Sequence, residues 1–185
     1  MEKPLAGKRI LIQVADTYED LELWYPKLRM EEAGATVVVA GIDPLRRSYT
    51  GKHSYPCTAD AALKDMRAGD FDALIIPGGF APDIIRRDRQ ALDLTRDFHD
   101  QGKLVAFICH AGWVPISARI VRGFRMTGCI ALKDDFENAG AVWADAPVVV
   151  DRNLISSRRP ADLPDFCAAI IDWLTGTPLA GHTLP

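Results

Sequence analysis

No two of the four cysteines in this 185-residue chain, Cys57, Cys109, Cys129 and Cys167, form a CxxC pair. That spacing argues against a structural zinc site and against a dense disulfide framework. No apolar run approaches the ~18 residues needed to cross a bilayer. The short N-terminal run in "MEKPLAGKRILIQVAD" stops at Asp16 without a small-residue cleavage site, unlike a signal peptide. A cytoplasmic protein with free thiols is therefore expected. The formal net charge of −3 gives no electrostatic reason to expect nucleic acid or an anionic membrane as partner. No repeat, low-complexity tract or linker divides the chain, so residues 1–185 are expected to form one domain.

Present instead is an ordinary globular balance, 48% hydrophobic and 25% charged, arranged as alternating strand-like and helical text. "KRILIQVA", "ATVVVA", "DALIIPGG" and "KLVAFICH" are short, continuous apolar runs of the kind that form fully buried parallel strands. Between the first two, "EDLELWYPKLRMEEAG" has Leu21, Trp24 and Leu28 at helical spacing, with a kink or fresh start expected at Pro26 and a stop at Gly34. "DRQALDLTRDFHDQGK" predicts a helix with Leu92, Leu94 and Phe98 inward. "ADLPDFCAAIIDWLTG" predicts another, with Pro164 in its first turn and Gly176 at its end. "RRSYTGKHSYPCTAD" and "PVVVDRNLISSRRP" read as hairpins. The alternation predicts a doubly wound α/β sandwich with a mostly parallel sheet, whose ligands bind beyond the carboxyl ends of the strands.

Three of those strand exits carry chemistry. The first delivers "DTYEDLE", with Asp16, Glu19, Asp20 and Glu22; the third strand-like run delivers "PGGFAPD", with Gly78, Gly79 and Asp83; the fourth delivers Cys109 and His110. An isolated cysteine is most often a small buried hydrophobe. Cys109, however, closes a strand and precedes the small residues Ala111 and Gly112, the pattern of a nucleophile elbow. A thiol at the start of the following helix would also be favoured as thiolate. A carboxyl beside it helps only if it keeps its proton, and spacing does not choose between Asp16, Glu19 and Asp20. Gly78 and Gly79 are turn residues that could also offer backbone N–H groups to an oxyanion. His110 is not expected to face its neighbour Cys109 directly. His53, His99 and His182 are expected to be solvated.

These segments together resemble the PfpI/ThiJ superfamily. The resemblance is carried by "YEDLELWYP", "TGKHSYP", "DALIIPGGFAPD", "AFICHAGW", "LKDDFENAGAVWADAPVVVD" and "LISSRRPADLPDF", with "TGKH" and "KDDFENAGA" pointing to the PfpI-like branch. It implies a flavodoxin-like three-layer α/β/α sandwich, also described as a class I glutamine-amidotransferase-like fold. It further implies Cys109 as nucleophile and Glu19 as the protonated acid that holds its thiolate. His110 would be oriented by Asp83 of a neighbouring subunit, with Gly79 and His110 N–H as oxyanion donors. The implied assembly is a homo-oligomer, dimer or hexamer, with its site near a subunit interface. Neither metal nor cofactor is implied. Three departures stand out: Asp83 where glutamate is usual, Trp113 in "CHAGW" where "CHGP" is common, and Cys129 where relatives often carry an aromatic residue. Cys129 reads as a packing substitution, or as a second thiol able to trap an oxidised Cys109.

The function so implied is stress protection by a cysteine enzyme acting on reactive carbonyls, of glyoxalase or deglycase type, on methylglyoxal or its protein adducts. An intracellular cysteine peptidase and a non-enzymatic redox sensor using Cys109 are the alternatives. A relative that kept the fold and lost activity is the third.

Overall fold

A computed structural model describes residues 3–177; His182 lies outside the described residues. Five parallel strands build the centre: β1 (Arg9–Val14), β2 (Thr36–Gly41), β6 (Ala73–Ile76), β7 (Leu104–Ile108) and β11 (Leu154–Ser157). The short β5 (Ala61–Ala62) extends the sheet parallel to β2, and β10 (Val148–Asp151) closes the other edge antiparallel to β11. The order is β10-β11-β7-β6-β1-β2-β5. Every residue of β6 and β7 is buried, which explains why their sequences lack the polar alternation of a half-exposed strand.

Both expected hairpins form. β3 (Ser48–Thr50) pairs with β4 (Pro56–Thr58), and β10 turns into β11 through Arg152 and Asn153. A small separate ribbon joins β8 (Arg125–Met126) to β9 (Val142–Trp143). Helices α1 (Asp20–Glu32) and α6 (Leu163–Thr175) pack together; α3 (Arg89–Asp100) packs on β6 and β7 beside the short α4 (Trp113–Ser117). With α2 (Ala81–Ile85) and α5 (Lys133–Asn138) they complete the α/β/α sandwich. Asp88 caps α3 by accepting the Ala91 N–H at 2.8 Å, and Gly176, at φ 70°, ends α6 where its sequence predicts. Among the described residues no helix is long and apolar enough to cross a membrane.

The inward face of α1 differs from the expected one. Leu21 and Leu28 are each 57% exposed, while Glu22, Leu23, Pro26 and Met30 are buried. The helix runs unbroken through Pro26, which lies on that buried side. The stripe at 22, 26 and 30 has the period of four that a helix face requires. Its apolar sequence disguises it, because the outer face also carries leucines. His99 is likewise only partly solvated. It is half-buried, stacks edge-on against Phe124 at 5.4 Å, and keeps a buried Nδ1 without a partner among the described residues.

The order of strands places a topological switch between β1 and β6, since the chain leaves β1 toward β2 on one side and returns to β6 on the other. The exits of β1, β6 and β7 therefore open onto one crevice.

Candidate active site

Cys109 follows β7 with φ at +60°, a left-handed conformation that costs a non-glycine residue energy and is held only by its surroundings. Here the surroundings are tight. A Cβ on Gly112 would lie 2.3 Å from the ring of Phe136, and one on Gly128 would lie 2.9 Å from the same ring. Phe136 thus wedges two glycines that bracket the turn, and the predicted elbow forms.

His110 does face Cys109, contrary to expectation: Nδ1 stands 3.3 Å from Sγ. The reason is local. In an extended or helical pair, adjacent side chains diverge, but the left-handed backbone at Cys109 swings its side chain toward the next residue. The imidazole is backed edge-on by the Trp113 ring at 5.3 Å, and Trp113 is itself fixed by donating Nε1–H to Asp135 at 2.9 Å. Burial, then the nearby Lys52 charge, lowers the His110 pKa, so the ring is neutral near pH 7.

The four carboxylates after β1 separate into distinct jobs. Asp16 accepts two hydrogen bonds from the Arg46 guanidinium and one from Thr50 N–H, and Arg46 chiefly holds its pKa below the usual range. Asp20 accepts the N–H groups of His53 and Tyr55 and so clamps the β3–β4 loop. Glu19 stands at the crevice wall, 3.3 Å from Lys52 Nζ and 3.8 Å from His53 Nε2. Glu22 is the acid against Cys109: it is wholly buried, accepts Gly78 N–H at 2.8 Å through Oε2, and its side chain interacts with the thiol.

The acid expected at Glu19 is therefore found one helical turn later. Glu19 precedes the helix with an extended backbone and its side chain leaves toward Lys52, whereas Glu22 lies on the face that α1 turns inward. The sequence signal was the spacing Glu22, Pro26, Met30. Burial, opposed by the Gly78 N–H, raises the Glu22 pKa to about 8. The thiol is raised too, by burial and then by the charge of an ionised Glu22. The expected helix-dipole help is small, because Cys109–Gly112 is one 3-10 turn and α4 has five residues. The His110 N–H interacts with the sulfur and acts in the opposite direction.

Gly78 and Gly79 are required where they stand. A Cβ on Gly79, whose φ is +78°, would meet the backbone of Thr17, Tyr18 and Glu19 at 2.4–2.7 Å. Gly79 faces Tyr18 as a non-hydrogen-bonded antiparallel pair, the ladder being made by Glu19 N–H to Gly78 O and by Phe80 N–H to Thr17 O. Its own N–H makes no hydrogen bond with another described residue, and the residue borders the cavity. That cavity, about 700 Å³, is lined by Thr17, Glu19, Lys52, Phe80, Cys109 and His110, among others. His53, expected to be merely solvated, also reaches its rim.

Asp83 does not join these groups within the chain. It pairs at 3.0 Å with Arg87, just past the end of α2, and makes no hydrogen bond to His110 of the same chain among the described residues. Cys129 does join them: its Sγ, the Cys109 Sγ and a His110 nitrogen lie within 4.8 Å of one another, a donor set that suits a soft cation. Glu19, Asp20 and His53 form a second such cluster, although the Asp20 oxygens are already occupied by backbone N–H groups.

The profile of the DJ-1/PfpI family matches residues 8–173. Deglycase TK1284 of Thermococcus kodakarensis is 45% identical over 155 residues, covering 84% of this chain and 92% of that protein. The putative cysteine protease YraA of Bacillus subtilis is 40% identical over 160 residues, covering 86% of this chain and 94% of its own. A crystal structure of a two-domain protein from Anabaena variabilis, with DJ-1/ThiJ/PfpI-like and ferritin-like domains, superposes with a TM-score of 0.89 at 39% identity. The match covers 93% of this chain and 49% of that one, so the chain spans about half of this neighbour's length. The profile match begins just before β1 and ends within α6, taking in the sheet, the elbow and both hairpins, and the chain belongs to the DJ-1/PfpI family.

Proposed function

We propose that this protein is a cysteine-dependent enzyme acting on reactive carbonyls, of the glyoxalase or deglycase type. The observation that carries the reading is the strained elbow: Cys109 at φ +60° presents its thiol to the His110 imidazole at 3.3 Å, on the wall of an open cavity. Relatives named deglycase support the substrate class.

With methylglyoxal, His110 accepts the thiol proton as the sulfur of Cys109 attacks the aldehyde carbon, giving a hemithioacetal. Neutral imidazole is the form that can do this, and burial keeps it neutral. The Gly79 N–H, which makes no hydrogen bond with another described residue, would donate to the developing oxyanion. A proton then moves from the former aldehyde carbon to the adjacent carbonyl carbon, leaving a lactoyl thioester on Cys109. Water hydrolyses the thioester, and lactate leaves as the thiol regains its proton. Glu22, protonated below about pH 8, donates to the sulfur whenever it carries negative charge. On a glycated amine the same attack and proton transfer would release the amine. These steps balance without metal or cofactor.

A peptidase is the second reading, supported by the putative cysteine protease among the relatives. It demands protonation of a poor amine leaving group, for which His110 is the available acid. Assembly into a homo-oligomer is part of the proposal: Asp83 of a neighbouring chain would orient His110. The outer face of α1, with Leu21 and Leu28 exposed beside Tyr25, supports such association.

Incubation with methylglyoxal should yield lactate, and Cys109→Ser should abolish it. Casein zymography separates the peptidase: clearing of casein without lactate formation would reverse the ranking.

A further inference from the structure

Cys129 has no part in the carbonyl chemistry, yet its position is closely fixed to the elbow. Its N–H donates to the Cys109 carbonyl at 3.2 Å, and a side chain on the preceding Gly128 would approach that same oxygen to 3.3 Å. That hydrogen bond ties the backbones of the two residues directly together. The two sulfurs and a His110 nitrogen lie within 4.8 Å of one another. The thiols also open to different spaces, Cys109 to the main cavity and Cys129 to a smaller one of about 300 Å³ beside Ile130 and Trp143.

A packing role does not account for this. Cys57 and Cys167 are 1% exposed and fill the core as small hydrophobes, whereas Cys109 and Cys129 are both half-buried and meet at the same turn.

We propose that Cys129 is a resolving thiol for Cys109, so that a hydroperoxide converts the pair to a reversible disulfide. The inference rests on Cys109 being the reactive nucleophile. In the first step the Cys109 sulfur attacks one oxygen of the hydroperoxide. The S–O bond forms and the O–O bond breaks, and water or an alcohol leaves with the proton that the thiol gave up. Sulfur is oxidised by two electrons, and the peroxide is reduced by two. In the second step Cys129 loses its proton to His110 and attacks the Cys109 sulfenic acid. The S–S bond forms, the S–O bond breaks, and hydroxide leaves as water on taking that proton back from His110. A thiol reductant then returns both cysteines. Because a sulfenic acid with a neighbouring thiol is consumed before a second peroxide arrives, Cys109 is spared irreversible oxidation to the sulfinic acid.

The test treats the full-length protein with a small excess of hydrogen peroxide, blocks remaining thiols with iodoacetamide, and maps the cysteine peptides by mass spectrometry. The wild type should lose two hydrogens, show a linked Cys109–Cys129 peptide, and regain full labelling after dithiothreitol. Cys129→Ser and Cys129→Ala should instead gain two oxygens at Cys109, and dithiothreitol should not reverse this. Cys57 and Cys167 should be unchanged throughout. Wild-type protein that gains two oxygens at Cys109 while Cys129 still alkylates would overturn the inference and leave the nucleophile reading standing. If Cys109 is inert to both peroxide and iodoacetamide, that reading fails and this inference falls with it.

Discussion

Glu22 and Cys109 meet across Gly78: a Cβ at residue 78 would stand 2.4 Å from Glu22 Oε2 and 2.8 Å from the Cys109 Cβ. The carboxyl and the thiol come from elements far apart in sequence, α1 and the turn after β7, and they approach because the residue between them has no side chain. Gly78 also supplies the N–H that Glu22 accepts.

Gly78→Ala should therefore separate the pair. The carboxylate end of Glu22 can swing aside, but the Ile108 carbonyl, 2.9 Å from the new methyl, is backbone and cannot. The expected outcome is a loss of activity of about 100-fold, the usual effect of displacing a catalytic group by an ångström, with about 1–3 kcal/mol lost in denaturant unfolding. Activity retained at the wild-type level would show that the Glu22–Cys109 contact is not needed.

The pH dependence follows from the direction of two shifts. His110, lowered by burial, must be neutral to accept the thiol proton, so activity falls on the acid side as it protonates. Glu22, raised to about 8, must keep its proton, so activity falls on the alkaline side as it ionises. Glu22→Gln should remove that alkaline limb while leaving the acid limb in place. Stability moves with the same proton. A folded-state pKa above the unfolded value means the folded protein binds the extra proton, so Glu22 stabilises at low pH and the contribution is lost as pH rises from about 4.5 to about 8. The slope attributable to Glu22 is at most about 1.4 kcal/mol per pH unit. Urea midpoints of wild type and Glu22→Gln across that range measure it; parallel curves would refute the assignment.

How much of this was legible in sequence depended on what kind of information each feature needed. The strands β1, β2, β6 and β7 were readable because complete burial writes itself as an unbroken apolar run, and α3 and α6 because their end residues have one physical use. The location of the site followed from the reactive residues gathered at the exits of the strand-like runs. The choice of Glu22 over Glu19 did not, because it depends on which face of α1 meets the sheet, and exposed Leu21 and Leu28 obscured that face. The approach of His110 to Cys109 was unreadable for another reason. It follows from a positive φ that the residue type disfavours, enforced by Phe136, which lies well outside the motif in sequence.

That enforcement can be tested apart from the chemistry. Gly112→Ala would put a methyl 2.3 Å from the Phe136 ring, so it should destabilise the fold by about 1–3 kcal/mol and lower the melting temperature by several degrees. Trimming the ring with Phe136→Leu should recover part of that loss, giving a favourable coupling energy in the double-mutant cycle. Strict additivity of the two changes would mean that Phe136 does not hold the elbow.

His110→Ala should lower kcat by about 10²–10⁴, the range for losing a general base, and imidazole added to the buffer should restore part of it. Rescue distinguishes proton transfer from a structural role, because a collapsed site would not respond to a soluble base.

Asp83 of the same chain is engaged with Arg87 and makes no hydrogen bond to His110 among the described residues. If a neighbouring chain provides that carboxylate, Asp83→Ala and Cys109→Ser should each be nearly inactive alone, the first through a misoriented imidazole and the second through loss of the nucleophile. Mixing them under conditions that exchange subunits should then restore activity. A mixed interface pairs the intact Cys109 and His110 of one variant with the intact Asp83 of the other, whereas no site built from a single chain type is complete. The recovered activity should rise with the time allowed for exchange and disappear on dilution below the dissociation constant of the assembly, followed by light scattering on the same samples. An Asp83→Ala chain that is fully active alone, or a mixture that stays at the level of its parts while subunits visibly exchange, would remove Asp83 from the site and leave His110 to be held by its contacts with Cys109 and Trp113.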